Sequence, residues 1–295
     1  MKYNKQPLDI PALLVMLKAR GLIINDEEQA RRTLSIVSYF RLANYLRPME
    51  ADKETHQYKP DSSFENAVAL YQFDATLREI VFRAISNIEI ALRSKMIHHF
   101  SLKYGPFWFT DMSICNDEHL FLENLNAIDR EVRRSKEDYI KEHFSKYKDS
   151  AFPPAWKAME LLSLGTLAKL FFNASDNKVK KKIAREFGLP NHLAFESWMN
   201  SIAALRNCCA HHARIWNRNY PVTPDLPKRL HSAWIKDTAT PFNKLYAQLC
   251  CIAYWLNSID PENTFTADIK ALLQKYPTVN PAAMGMVKNW QDEPL

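Results

Sequence analysis

The segment Arg206-Asn207-Cys208-Cys209-Ala210-His211 sets a guanidinium, a carboxamide and an imidazole within two turns of an α-helix. A guanidinium is a permanently charged, forked donor that suits phosphate or carboxylate oxygens. An imidazole, with an ordinary pKa of ~6.5, gives and takes protons near neutral pH. Together these groups suit acid–base chemistry beside an anion.

The spacing predicts where they point. With Ile202 as the zero of a helical wheel, Phe195, Trp198, Leu205 and Cys209 fall within about 60° and form a core stripe. Asn207, near ~140°, and His211, near ~180°, are i and i+4 neighbours on the opposite face. Arg206, at ~40°, lies at the edge of the stripe, where its stem can rest on neighbours while the head reaches outwards. The plain alternative is that His211 and His212 are exposed polar residues without a task. A zinc site is excluded on geometry, because the adjacent pairs Cys208-Cys209 and His211-His212 of one helix cannot converge on a tetrahedral centre and no Cys-x2-Cys spacing occurs.

The elements that must hold this segment read as helices throughout. The helix carrying it starts near Asn191, a suitable N-cap, and is expected to run to about Ala213. Upstream, residues 9–20 form a short helix closed by Gly21. A second begins at Asp26 and runs into the aromatic and basic stretch 38–46, and residues 48–60 form a loop bounded by Pro48 and Pro60. From Ser63, the three- and four-residue recurrence of Leu70, Phe73, Leu77, Ile80, Ala84, Ile88 and Ala91 predicts one long helix reaching Gly105. Further helices are expected over residues 118–144, 155–172, 178–187 and 242–259. Strand-like alternation is absent at any length. The expected architecture is all-α, with an N-terminal helical extension over residues 1–60, a main helical domain over 61–275 and a tail over 276–295.

Composition narrows the function classes. With five glycines in 295 residues, no Gly-rich phosphate loop can be written, so nucleotide-fold enzymes are excluded and no cofactor is expected. Hydrophobic residues at 47% supply ample material for a core, and the net charge of +6 favours polyanions where it is clustered. Five cysteines without a disulfide spacing, no apolar signal core near the N-terminus and no membrane-length apolar run lead to the expectation of a cytoplasmic protein without a membrane partner.

A series of segments carries a wider resemblance. In order they are Arg20-Gly21-Leu22-Ile23-Ile24, Ser38-Tyr39-Phe40-Arg41-Leu42, Leu70-Tyr71-Gln72-Phe73-Asp74 and Ile88-Glu89-Ile90-Ala91-Leu92-Arg93. Tyr104-Gly105-Pro106-Phe107-Trp108, Pro153-Pro154-Ala155-Trp156, Ser163-Leu164-Gly165-Thr166-Leu167, Phe187-Gly188-Leu189-Pro190 and Glu196-Ser197-Trp198 follow. The last runs from Leu205 through Arg206, Asn207, His211, His212, Arg214 and Trp216 to Arg218. Over roughly residues 10–225 the chain resembles the Abi-like (abortive infection) bacterial family, and Arg206-Asn207 followed by His211 resembles the Arg-x4-6-His signature of the HEPN superfamily. The resemblance implies a HEPN-like helical bundle, antiviral defence and metal-independent endoribonuclease activity.

RNA carries its own nucleophile, the 2′-OH, so an enzyme need only remove that proton, stabilise the crowded phosphate and protonate the leaving 5′-oxygen. His211 is expected as the acid or base, with His212 the alternative one position on; Arg206 is expected to clamp phosphate oxygens and Asn207 to orient the imidazole or a phosphate. The expected products carry 2′,3′-cyclic phosphate and 5′-hydroxyl ends. One helix supplies one such group, so a homodimer with a composite site is expected, as in relatives of the superfamily. Supporting roles fall to His212, Glu89 and Arg93, the last two being i and i+4 neighbours whose plain reading is an ion pair. RNA contacts are expected from Arg214, Trp216 as a base-stacking surface, Arg218, and Lys180, Lys181 and Lys182, with RNA as substrate and a regulatory non-coding RNA as a further partner. The cluster of Arg130, Arg133, Arg134 and Lys136 is a further basic face. The rival readings are a non-catalytic RNA- or protein-binding module and a group-transfer component of a toxin–antitoxin pair.

Overall fold

The computed structural model describes residues 6–227, 230, 234–237, 239–293 and 295. Residues 1–5 of the expected extension and residue 294 of the expected tail lie outside the described residues. The fold is all-α. Its helices are α1 (Ile10–Ala19), α2 (Glu27–Ile36), α3 (Tyr39–Leu46), α4 (Phe64–Tyr104), α5 (Glu118–Arg134), α6 (Asp138–Lys146), α7 (Ala155–Ala158), α8 (Leu164–Asn173), α9 (Asn177–Glu186), α10 (His192–Ala210), α11 (Leu245–Ile259) and α12 (Phe265–Lys275). No helix among the described residues is long and apolar enough to cross a membrane.

Capping chemistry sets most of the boundaries. The side chains of Asp9, Asp26, Ser38, Asp117, Ser163, Asp176 and Asn191 each accept a backbone amide in the first turn of the following helix. Three expected helices are divided by such signals. The run from Asp26 to residue 46 breaks at extended Val37, where Ser38 caps α3. The run 118–144 breaks after Arg134, where the Ser135 hydroxyl accepts the Glu137 amide at 3.2 Å and offers the backbone an alternative to the helix. The run 155–172 gives way to a 3-10 turn and extended Leu162 before Ser163 caps α8. The helix α12 follows without having been anticipated.

The chain forms two compact units, residues 1–78 with 271–279, and residues 79–270 with 280–295. The first therefore extends past the expected boundary at residue 60. The bonds that cross residue 60 show why: the Ile23 amide donates to Ser62 O and the Phe64 amide to Ile23 O, both at 2.9 Å, and the Asn25 amide donates to Glu65 at 2.9 Å. Within this unit Asp74, fully buried, accepts from the Tyr45 hydroxyl at 2.6 Å and pairs with Arg78. Tyr45 titrates far above the usual phenol range, because burial comes first and the adjacent Asp74 carboxylate adds to it.

The second unit is built on the remaining turns of α4, whose Val81, Ile85, Ile88, Leu92, Met96 and Phe100 are buried in a three- and four-residue rhythm. Its aromatic core joins Phe171, Phe187, Phe195, Trp198 and Trp255, with ring centroids of Phe195 and Trp255 4.8 Å apart. This core fixes α10.

Candidate functional site

Helix α10 is anchored along the predicted stripe. Phe195, Trp198, Ile202 and Leu205 are fully buried and Cys209 nearly so, each side chain contributing about 1.5–3 kcal/mol of burial. Returning chain reinforces the anchor: the Trp198 indole donates to Asp225 O at 2.7 Å, and the Ser201 hydroxyl donates to Val222 O at 3.1 Å. The opposite face of the last turns stays open, and Asn207 and His211 are both exposed.

Arg206 is held from α4. Its guanidinium carbon stands 5.5 Å over the Phe82 ring, and its Nε lies 3.9 Å from Glu89 Oε2. The other carboxylate oxygen of Glu89 accepts from Arg93 Nη2 at 3.0 Å. Arg93 also donates to Leu162 O at 2.9 Å and lies 3.6 Å from Glu160. The Glu89 and Arg93 side chains are 14% and 11% exposed, so one largely desolvated carboxylate is shared by two guanidiniums. At 3.9 Å the Nε–Oε2 separation is an ion-pair contact, longer than a hydrogen bond. Glu89 and Arg93 thus join Arg206 in one network. Phe82, Glu160 and the Leu162 carbonyl were not singled out from the sequence. Phe82 stands i−7 from Glu89 on α4 and could have been found on the same helical face, whereas Glu160 and Leu162 give no local signal.

The helix ends earlier than Ala213, at Ala210, with His211 as its C-cap. The His212 amide donates to Cys209 O at 3.0 Å and the Ala213 amide to Cys208 O at 2.9 Å, the paired bonds of a Schellman closure. That closure requires a left-handed residue, and the position is filled by His212 at φ 53° rather than by glycine. His211 and His212 therefore differ in backbone conformation, His211 closing the helix and His212 taking the left-handed position after it. Asn217, at φ 48°, makes a second left-handed turn downstream.

The structure corrects two of the expected RNA contacts. Trp216 is 5% exposed, and a ring so deeply buried offers no face to a base. Lys180 is 3% exposed; its ammonium donates to Phe172 O and Ala174 O, both at 3.2 Å, and pairs with Glu196 at 2.6 Å. It faces inwards because α9 buries Val179, Lys180, Ile183 and Ala184. Lys181 and Lys182 are exposed on the other face, Arg214 is half-buried, and Arg218, also half-buried, lies 5.7 Å over the Tyr220 ring. In the further basic face, Arg133 and Arg134 pair with Asp129 and Glu131 of their own helix.

Among the described residues no three His, Cys, Asp or Glu side chains are grouped as a metal site. Cys208 is half-buried and Cys209 buried.

Neither the curated proteins nor the solved structures yield a match to this chain. The sequence model of the Abi-like proteins matches residues 32–217, well over half of the 295 residues, and spans α4, the Glu89–Arg93 pair and the whole of α10. The chain belongs to the Abi-like protein family.

Proposed function

We propose that this protein is a metal-independent endoribonuclease of an abortive-infection system, with Arg206, Asn207 and His211 as its catalytic group. The observation that carries the reading is the combination at one helix end: an arginine anchored on Glu89 through Nε, beside an exposed carboxamide and an exposed imidazole on a rigid helix. Anchoring matters because a preorganised guanidinium spends little entropy when it clamps a phosphate. The likeness of Arg206-Asn207-x3-His211 to the HEPN signature supports the same assignment.

In the proposed reaction the Arg206 fork holds non-bridging phosphate oxygens and His211 exchanges the proton of the 2′-OH or of the leaving 5′-oxygen. Cleavage then yields a 2′,3′-cyclic phosphate and a 5′-hydroxyl. In-line displacement needs groups on both faces of the phosphate, so a homodimer that apposes two α10 ends supplies the second imidazole. A regulatory RNA bound to the basic surface is the proposed means of keeping such an enzyme dormant.

The test is cleavage of labelled single-stranded RNA in EDTA by the wild type, Arg206→Ala and His211→Ala, with analysis of the product ends. Cyclic phosphate ends produced by the wild type and lost in both variants support the reading. Equal RNA binding by all three with no cleavage would replace it with a non-catalytic RNA-binding module.

A further inference from the structure

With Trp216 buried, a stacking surface for a base must be sought elsewhere. Trp156 is the most exposed of the seven tryptophans, at 51%. A single exposed apolar residue needs no function. The neighbours of Trp156 are what give it one.

The stretch that carries it has two faces. Over α7 and the 3-10 turn Met159–Leu161, Ala155, Ala158, Met159 and Leu162 are buried, whereas Trp156 and Glu160 are exposed. The two exposed residues are i and i+4 and share the outward face of the turn. The turn is tied down on both sides: the Ala155 amide donates to Pro106 O at 2.7 Å, and the Lys157 ammonium to Tyr139 O at 3.1 Å.

Glu160 joins this face to the candidate site. Its Oε2 lies 3.6 Å from Arg93 Nη1, Arg93 donates to Glu89 at 3.0 Å, and Glu89 lies 3.9 Å from Arg206. Arg206, Glu89, Arg93 and Glu160 are thus one chain of ion pairs, and Trp156 stands beside its last member. The Glu160 side chain is 50% exposed, and its Oε1 has no hydrogen bond among the described residues. Tyr139 lies within reach of the same charges: burial raises its phenol first, the Glu137 and Glu160 carboxylates add to this, and Arg93 opposes it.

The two exposed groups suit different parts of a nucleobase. An indole face stacks on any base. A carboxylate only accepts hydrogen bonds, so it selects a base edge that donates. On its Watson–Crick edge guanine presents N1–H and N2–H side by side, which matches the two oxygens of one carboxylate. Adenine and cytosine present an amino group beside an acceptor, and uracil a single N–H between two carbonyls. Glu160 repels phosphate oxygens, which leaves those to Arg206.

We propose that Trp156 and Glu160 form a guanine-binding site at the edge of the Arg206 network, the indole stacking on the base and the carboxylate accepting from N1–H and N2–H. Its ligand is a guanine of the RNA strand, an identification that rests on the ribonuclease reading. A free guanine nucleotide presents the same edge and is distinguished by experiment.

The test uses the full chain carrying His211→Ala, so that cleavage does not interfere. The probes are labelled oligouridylates with one central guanosine, inosine or adenosine, and guanosine monophosphate as a separate ligand. Inosine keeps N1–H and lacks the 2-amino group. The guanosine strand should bind roughly tenfold more tightly than the adenosine strand, with inosine between them. Trp156→Leu, which keeps an apolar side chain without a ring, should weaken binding of the guanosine strand roughly tenfold, and Trp156→Phe should restore most of it. Glu160→Gln should leave the adenosine strand unaffected and abolish the preference for guanosine, a change that loss of the Arg93 contact alone would not produce. Binding of the strand without measurable binding of guanosine monophosphate assigns the site to the strand. Binding of the nucleotide that is lost in both Trp156→Leu and Glu160→Gln also supports the guanine site but assigns it to the free ligand. Equal binding of all three strands by the parent, a guanine preference that survives Glu160→Gln, or unchanged affinity in Trp156→Leu overturns the proposal. Cleavage with His211 restored is scored separately: guanine-selective binding without cutting rejects the ribonuclease reading and keeps the site, and cutting without guanine preference does the reverse.

Discussion

Glu89 Oε2 stands 3.9 Å from Arg206 Nε, while Glu89 Oε1 accepts from Arg93, so a single carboxylate of α4 fixes the arginine of α10. The two helices meet here through charge rather than through the apolar stripe.

This relationship predicts a rate effect larger than a binding effect. Glu89→Gln retains an acceptor for Arg93 but removes the charge beside Arg206. We expect a cleavage rate roughly tenfold lower, equivalent to about 1.4 kcal/mol, with RNA affinity within about twofold. Single-turnover cleavage and anisotropy measured on the same preparations check this, and an unchanged rate would mean that Glu89 serves only packing.

His212 occupies a left-handed position that glycine fills without steric cost. His212→Gly should therefore stabilise the fold by roughly 0.5–1 kcal/mol, seen as a melting temperature higher by about 1–4 °C, whereas His212→Val should lower it. If His211 is the catalytic imidazole, the glycine variant keeps its cleavage activity while His211→Ala loses it. The opposite pattern would transfer the role to His212.

Lys180 and its neighbours differ in burial although they are alike in type. Lys180→Ala strands the Glu196 carboxylate and two carbonyls, and should cost about 3–5 kcal/mol by denaturant titration. Lys181→Ala and Lys182→Ala, on the exposed face, should stay within about 0.5 kcal/mol. A Lys180→Ala protein as stable as the wild type would show that this pair contributes nothing.

Asp176 links the stability of α9 to acid. Burial pushes its carboxyl up, but hydrogen bonds from Lys103, Tyr104 and the amides of Val179 and Lys178 outweigh that and hold it at about 2, below the ordinary 3.8. Between these values the unfolded chain binds the proton that the folded chain refuses. The contribution is therefore fully present above about pH 4 and is lost as pH falls towards 2. Asp176→Asn, which keeps a capping acceptor, should flatten that part of the stability–pH curve; an unaltered curve would place the acid sensitivity elsewhere.

The all-α class, the long helix α4 and the inward and outward faces of α10 were legible in the chain, because each depends on a local period. Leu70, Phe73 and Leu77 recur at helical spacing, and Asn207 and His211 fall a turn apart on the side away from Phe195, Trp198 and Ile202. The helix breaks at Val37, Ser135 and Leu162 were less legible, since the serines that stop or cap a helix also occur within one. Trp216 and Lys180 were misplaced for a different reason: composition marks an aromatic or a lysine as a nucleic-acid contact, but exposure depends on which face the neighbours bury. By itself the sequence determined the all-α class, the long helix and the residue types carried at the end of α10. Only the tertiary structure decided that Glu89, over a hundred residues earlier in the chain, holds Arg206, and that Lys180 and Trp216 lie inside. Periodicity is a property of consecutive residues, whereas desolvation and charge pairing arise only when distant segments pack.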